Sequence, residues 1–175
     1  MIETSRLLIR PFAASDADDL YEYLSDPVTY VFEPGQPISR EEAGKLASQR
    51  AAGTIFWAVV LKQENKLIGH LYFEPLEPRE WLTWELGYIF NPKYQRQGYA
   101  SEAAGALVGH AFAQFHAHRI MARCNPENTA SWKLLEKIGF RREGHFRQCA
   151  FFRRDAAGEP VWTDAYEYSR LEIDA

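Results

Sequence analysis

The chain has 175 residues, of which 46% are hydrophobic and 25% charged, and its net charge is −4 at pH 7. This composition predicts one globular domain over residues 1–175 and argues against a disordered or nucleic-acid-binding chain. No stretch approaches the roughly 20 apolar residues of a membrane span. No signal peptide is visible, so we expect a cytoplasmic protein with no membrane partner.

Apolar periodicity and turn residues predict eleven elements. In chain order they are a strand at 6–11, helices at 15–24 and 40–52, strands at 54–61, 66–73 and 81–90, a helix at 98–116, a strand at 119–124, a helix at 128–138, and strands at 140–152 and 161–171. Ser15 and Asp16 are expected to cap the first helix, and Ser39 and Glu42 to form a capping box for the second. The order predicts a mixed α/β fold with early hairpins and one strand–helix–strand unit.

The two cysteines, Cys124 and Cys149, are far apart in the sequence and lack the spacing of a metal site. We therefore expect two reduced thiols and no metal, with one disulfide as the alternative. Cys124 is more readily explained as a small buried residue than as a reactive thiol.

The loop before the third helix carries the clearest ligand-binding signal. It runs Gln95-Arg-Gln-Gly98-Tyr-Ala100-Ser101. Small residues at Gly98 and Ala100 let the backbone approach a ligand, and the free N–H groups and dipole of a helix start favour an anion. The loop therefore predicts a pyrophosphate site, although on its spacing alone an ordinary helix start is an equal alternative.

Three further motifs accompany the loop. Asn125-Pro-Glu-Asn128-Thr-Ala-Ser131 is followed by Lys137-Ile-Gly-Phe140, and the ends of the chain carry 4–11 and 162–169. With these four motifs in order, the sequence resembles the GNAT N-acetyltransferases over essentially its whole length. It is most similar to the RimJ/RimL branch, the ribosomal-protein N-terminal acetyltransferases.

The resemblance implies an α/β GNAT fold: a central, mostly antiparallel seven-stranded sheet, splayed between strands 4 and 5 and flanked by about four helices. It implies acetyl-CoA as co-substrate and an amine acceptor, either a protein N-terminus or a small amine. The residues implied in cofactor binding are Tyr88, Ile89, Phe90, Gln95, Arg96, Gln97, Gly98, Tyr99, Ala100, Ser101, Asn125, Asn128 and Ser131.

Acetyl transfer needs a proton acceptor, because amines are mostly protonated at neutral pH. Glu85, on the strand that leads to the cofactor site, is our candidate base; a solvated or arginine-paired glutamate is the alternative. The resemblance assigns Ser131 to the leaving thiolate, and a plain hydroxyl in a first helical turn is the alternative. The tyrosine acid that the general family pattern places four residues later is Leu135 here.

A candidate acidic lining would favour cationic acceptors. It comprises Asp26, Glu33, Glu85, Asp155 and Glu159. One departure leaves the role of base to Glu85 or to water alone: part of the branch has its base just after an Arg-Gln pair on the sixth strand, and residues 147–150 contain no carboxylate. A non-catalytic CoA-binding sensor or assembly module, and a nucleotide-phosphate binder, therefore stay as alternatives. The expected state is a monomer or a homodimer.

Overall fold

The apolar runs form one eight-stranded sheet in the computed structural model, which describes residues 1–174. The strands are β1 (Ile2–Glu3), β2 (Leu7–Pro11), β3 (Phe56–Leu61), β4 (Lys66–Pro75), β5 (Thr83–Phe90), β6 (Arg119–Cys124), β7 (Arg141–Arg154) and β8 (Pro160–Leu171). The helices are α1 (Ala17–Leu24), α2 (Arg40–Ala52), α3 (Tyr99–Phe115) and α4 (Thr129–Lys137). No helix within residues 1–174 is long and apolar enough to cross a membrane.

The strands lie in the order β1-β2-β3-β4-β5-β6-β8-β7, and every pair except β5–β6 is antiparallel. The parallel β5–β6 pairing extends only from Thr83–Arg119 to Glu85–Met121. Beyond it the two strands separate, although β5 stays paired with β4 as far as Phe90. This opening confirms the predicted splay between the fourth and fifth predicted strands.

The mixed α/β class and the four helices match the prediction, but the sheet has eight strands and not seven. The extra strand, β1, pairs Ile2 with Ile9 and Glu3 with Leu8. A two-residue strand has no detectable periodicity, so sequence patterning could not find it. The capping box of α2 is present, with the Ser39 N–H donating to Glu42 Oε2 at 2.7 Å.

The predicted cap of α1 is wrong in detail. Asp16 occupies the N-cap position, but its side chain makes no hydrogen bond to the helix. It is buried and accepts two hydrogen bonds from Arg10, at 2.7 and 2.8 Å. The bidentate guanidinium and the Ala13 N–H, which donates to Oδ2 at 2.8 Å, together determine the orientation of this buried carboxylate.

The helices cover the two faces of the sheet with separate cores. On one face, α3 and α4 pack on the sheet through buried residues that include Leu107, Ile120 and Leu135. On the other, α1 and α2 pack through a smaller set that includes Leu20 and Tyr23. The side chains of β5 alternate between these cores, as the pleat requires.

Gly69 on β4 lies against the end of β5. A Cβ atom placed there would lie 2.7 Å from the Ile89 carbonyl oxygen and 2.7 Å from the ring of Phe90. A register shift between β3 and β4 falls at the same level. Because Gly69 has no side chain, β4 can pack closely against the last residues of β5.

We expect Gly69→Ala to lower the free energy of unfolding by about 1–3 kcal/mol, because the added methyl group has no room beside backbone. Gly109→Ala is the matched control, since Gly109 is an exposed position of α3 with no atom within 4 Å of a built Cβ. The control should be neutral or stabilising by up to about 1 kcal/mol. Urea unfolding measures both; equal stability of the two variants would contradict the steric account.

Candidate functional site

A cavity of about 360 Å³ opens where β5 and β6 separate. Residues 86–88 of β5 form one wall, and residues 122–125, at the end of β6 and just after it, form the facing wall. Asn128 and Ser131 close it from α4, and residues 32–34, between α1 and α2, close it from the other side of the sheet. The cavity therefore passes through the sheet and joins its two faces.

A cluster of hydroxyl and thiol groups lies on the α4 side of this cavity. The hydroxyl of Tyr88 is 2.9 Å from Ser131 Oγ. Burial raises the pKa of the Tyr88 phenol, so it stays protonated at neutral pH and can donate a hydrogen bond. Burial also raises the pKa of the neighbouring Cys124 thiol to about 11, and a hydrogen bond with Ser131 opposes that shift.

The Tyr88–Ser131 contact was not foreseen from the sequence. Tyr88 was predicted to contribute its backbone to the cofactor site, and the general family's tyrosine acid position is the fully buried Leu135. In the structure a tyrosine hydroxyl nevertheless reaches Ser131, from β5 instead of α4. The two residues are 43 positions apart in the sequence, so no local pattern could indicate this pair.

Asn125 and Asn128 lie at the start of α4 with their side-chain oxygens already engaged. Asn125 Oδ1 accepts the Glu127 N–H at 2.8 Å, and Asn128 Oδ1 accepts the Ser131 N–H at 3.2 Å. Because both oxygens face backbone donors, each side chain keeps its amide NH₂ group available as a donor. This arrangement suits a ligand that presents carbonyl oxygens to the cavity.

The loop at 95–101 is separated from β5 by a short helical turn, Pro92–Tyr94, and has the geometry of an anion site. Gly98, with φ of +82°, is the N-cap of α3. The first backbone bond of the helix runs from the Glu102 N–H to the Gly98 carbonyl at 3.0 Å. The N–H groups of Tyr99, Ala100 and Ser101 precede that bond and have no intrahelical acceptor, which is the condition for binding a phosphate.

Arg6 supports this loop and was missed as a site residue. Its guanidinium donates to the Gln97 carbonyl at 3.0 Å, lies 4.4 Å from the centre of the Tyr99 ring and pairs with Glu102 at 2.7 Å. The ion pair offsets the negative charge that Glu102 places in the first turn of α3, where an anion would otherwise be repelled. Gln95 connects the loop to β5 by donating to the Phe90 carbonyl at 3.0 Å.

Glu85 is not among the residues that line the cavity. Trp84 and Leu86 pack into the α3–α4 core, so Glu85 projects from the opposite face of β5. It is partly buried and lies directly across from Glu74 of β4. Burial raises its pKa, nearby Arg123 opposes this, and the negative charges of Glu74 and Glu167 add to it. Glu85 and Ser131 therefore lie on opposite faces of the sheet.

Of the five residues of the candidate acidic lining, Glu33 is the one that lines the cavity. The carboxylates of Asp26 and Asp155 instead accept backbone N–H groups in their own turns, at 2.8 to 2.9 Å. Burial raises the pKa of Glu33 to about 7. Asp164 also lines the cavity, which the sequence did not indicate, and it pairs with His145 at 2.7 Å.

The raised pKa of Glu33 predicts a pH-dependent loss of stability. Its carboxyl has a pKa of about 7 in the folded chain and an ordinary value of 4.5. Between about pH 4.5 and pH 7 the unfolded chain releases a proton that the folded chain keeps, so the free energy of unfolding falls as pH rises. We expect Glu33→Gln to be more stable than the wild type at pH 8, by up to about 3 kcal/mol, with little gain at pH 4.5.

Urea unfolding at both pH values measures this difference. Glu41→Gln, at an exposed position of α2, is the control for the removal of one negative charge. A gain from Glu33→Gln that is the same at both pH values would contradict the raised pKa.

Comparisons with known proteins agree with this geometry. A sequence model of the acetyltransferase (GNAT) domain family matches residues 6–141. An uncharacterized N-acetyltransferase of Bacillus subtilis, YnaD, is 38% identical over 172 residues, which is 98% of this chain and 96% of that protein. The [ribosomal protein uS5]-alanine N-acetyltransferase of Escherichia coli is 27% identical over 155 residues, which is 82% of this chain and 79% of that protein.

A solved structure extends the likeness to the fold. The crystal structure of a GNAT-family acetyltransferase from Bacillus anthracis superposes with a TM-score of 0.88 at 38% identity, and the match covers 98% of each chain. The splayed sheet, the helix start after β5 and these matches lead to one conclusion: the chain belongs to the GNAT family and is an N-acetyltransferase.

Proposed function

We propose that this protein transfers the acetyl group of acetyl-CoA to the N-terminal amine of a protein or peptide. The observation that carries the proposal is the cavity between β5 and β6, which is lined by a hydroxyl pair and a carboxylate. The start of α3, which follows β5 in the chain, adds unpaired N–H groups of the kind that bind phosphate. A cytoplasmic location, as expected from the sequence, is part of the same proposal.

The donor fits the groups that the chain presents. Backbone N–H groups at 99–101, with Arg96 beside them, are suited to the pyrophosphate. The edge of β5 from Leu86 to Phe90 has no strand partner on the β6 side, so its backbone groups are available to the amide-containing arm of CoA. The NH₂ groups of Asn125 and Asn128 supply donors from the facing wall.

Ser131 and Tyr88 are proposed to stabilise the departing thiolate. When the amine attacks the thioester carbonyl, the C–N bond forms, the C–S bond breaks and the sulfur takes the electron pair. A hydroxyl that already contacts a second, protonated hydroxyl can donate to the developing charge without reorganisation. Glu85, outside the cavity lining, is proposed to receive a proton from the amine through a water molecule.

The exposed aromatic rings at the mouth of the cavity favour a peptide acceptor over a small amine. Phe146 and Phe152 line the cavity and are still 43% and 45% exposed, so the opening presents apolar rings to solvent. Exposed aromatic rings at a cavity mouth are suited to side chains that follow a terminal amine. The Escherichia coli relative, named for a ribosomal-protein alanine, points to the same acceptor class.

The activity is tested by CoA thiol release from acetyl-CoA with short peptides that have free N-termini. Ser131→Ala is expected to lower kcat by about 10- to 100-fold, and Tyr88→Phe by a smaller factor, because each removes a donor to the thiolate. Ser48→Ala is the control, since the Ser48 hydroxyl donates to Gly44 on α2, away from the cavity. Unchanged kcat in Ser131→Ala would remove Ser131 from the mechanism.

The acceptor class is tested with the same peptides blocked at the N-terminus but carrying one lysine. We expect release to disappear with the blocked peptides, because the terminal amine is the nucleophile. Faster release with lysine or a small polyamine than with a free N-terminus would contradict the peptide acceptor. Measurable CoA binding without release in any mixture would favour the non-catalytic binding module.

A further inference from the structure

The segment between α1 and α2 brings a second carboxylate to the acceptor side of the cavity. Glu33 lies three residues after the short helical turn Pro27–Tyr30 and lines the cavity with Phe32 and Pro34. Tyr88, Cys124 and Ser131 line the same cavity, so Glu33 shares one space with the hydroxyl pair. No motif of the sequence indicated this placement.

Hydrogen bonds hold this segment in place. The hydroxyl of Thr29 donates to the Tyr23 carbonyl at 2.6 Å, and that of Tyr30 donates to the Leu24 carbonyl at 2.9 Å. The Ile38 N–H donates to the same Leu24 carbonyl at 3.0 Å. The segment is therefore attached to the end of α1 on both sides of Glu33.

The charged groups around Glu33 leave it without a counter-ion. The cavity is also lined by Arg123 and Asp164, but Arg123 pairs with Glu167 at 2.8 Å and Asp164 with His145. Within residues 1–174 no salt bridge includes Glu33. A carboxylate that is partly removed from water and has no cation beside it favours binding of an ammonium group.

We infer that Glu33 contacts the acceptor amine directly and accepts its proton, an inference that rests on the proposed acetyl transfer. The incoming ammonium is bound by the ionised carboxylate. One proton then passes from nitrogen to a Glu33 oxygen, the freed electron pair forms the C–N bond, and the C–S bond breaks with its pair going to sulfur. The second proton then leaves the new amide nitrogen through a water molecule. Glu33 therefore takes the first proton, and Glu85, which does not line the cavity, receives only the second one, through that water molecule.

The chemistry of Glu33 suits this role. A proton acceptor works best when its pKa lies near the working pH, because it is then ionised and still basic enough to hold a proton. Burial gives Glu33 a pKa of about 7. The same unpaired carboxylate selects acceptors that arrive as cations, which includes free N-termini and excludes acceptors that are neutral or anionic at the reacting nitrogen.

The test is kcat/KM for a short peptide acceptor as a function of pH, in wild type and Glu33→Gln. The ratio of wild-type to variant kcat/KM removes the titration of the peptide amine, which is common to both. We expect this ratio to rise with pH through about 7 and to level off near 100-fold, because only the wild type has a carboxylate that ionises there. Glu33→Asp should retain the rise at a lower rate, and Glu85→Gln should retain the inflection near pH 7.

A role that is merely structural would give a ratio that does not change with pH, and that result would overturn the inference. Equal CoA affinity in wild type and Glu33→Gln shows that the variant is folded. If the wild type is active and kcat/KM of Glu33→Gln stays within twofold of it at all pH values, the role of Glu33 is excluded and the acetyltransferase activity stands. If the wild type binds CoA but releases none from acetyl-CoA with any amine, both the proposed acetyl transfer and the role of Glu33 are excluded.

Discussion

The separation of β5 and β6 is the constraint on which the rest of the structure depends. Each strand is held along most of its length by its other neighbour: β5 pairs with β4 at seven positions and β6 with β8 at six. The two strands share only three pairs with each other. Because the far sides are held so extensively, the sheet can open at its middle without losing either half, and the opening leaves backbone groups of β5 free for a ligand.

The opening also explains how two different chemical environments meet at one place. The α3–α4 face contributes the hydroxyl groups of Tyr88 and Ser131 to the cavity. The α1–α2 side contributes the carboxylate of Glu33, whose pKa is raised by burial. A continuous sheet would keep these groups apart, since side chains on opposite faces are separated by the backbone layer. The gap places Glu33 in the same cavity as Tyr88 and Ser131.

Two positions at which members of the family carry catalytic groups are occupied differently in this chain. The position of the general family's tyrosine acid is taken by Leu135, which is fully buried in the α4 core, and the sixth-strand carboxylate of part of the RimJ/RimL branch has no counterpart at 147–150. Tyr88 brings a hydroxyl to Ser131 from the facing strand, and Glu33 brings a carboxylate from the α1–α2 segment. Both residues line the cavity and come from elements that are remote from α4 and β7 in the sequence.

The sequence by itself determined the class of fold, the four helices, seven of the eight strands and the loop at 95–101, because apolar periodicity, caps and glycine positions are local properties of the chain. It also determined the family, because four motifs occur in order. Only the tertiary structure decided that Asp16 pairs with Arg10, that Arg6 supports the loop, that Tyr88 contacts Ser131 and that Glu33 lines the cavity while Glu85 does not. Each of these depends on contacts between distant segments and on the loss of water around a charge, and neither quantity can be read from the neighbours of a residue in the chain.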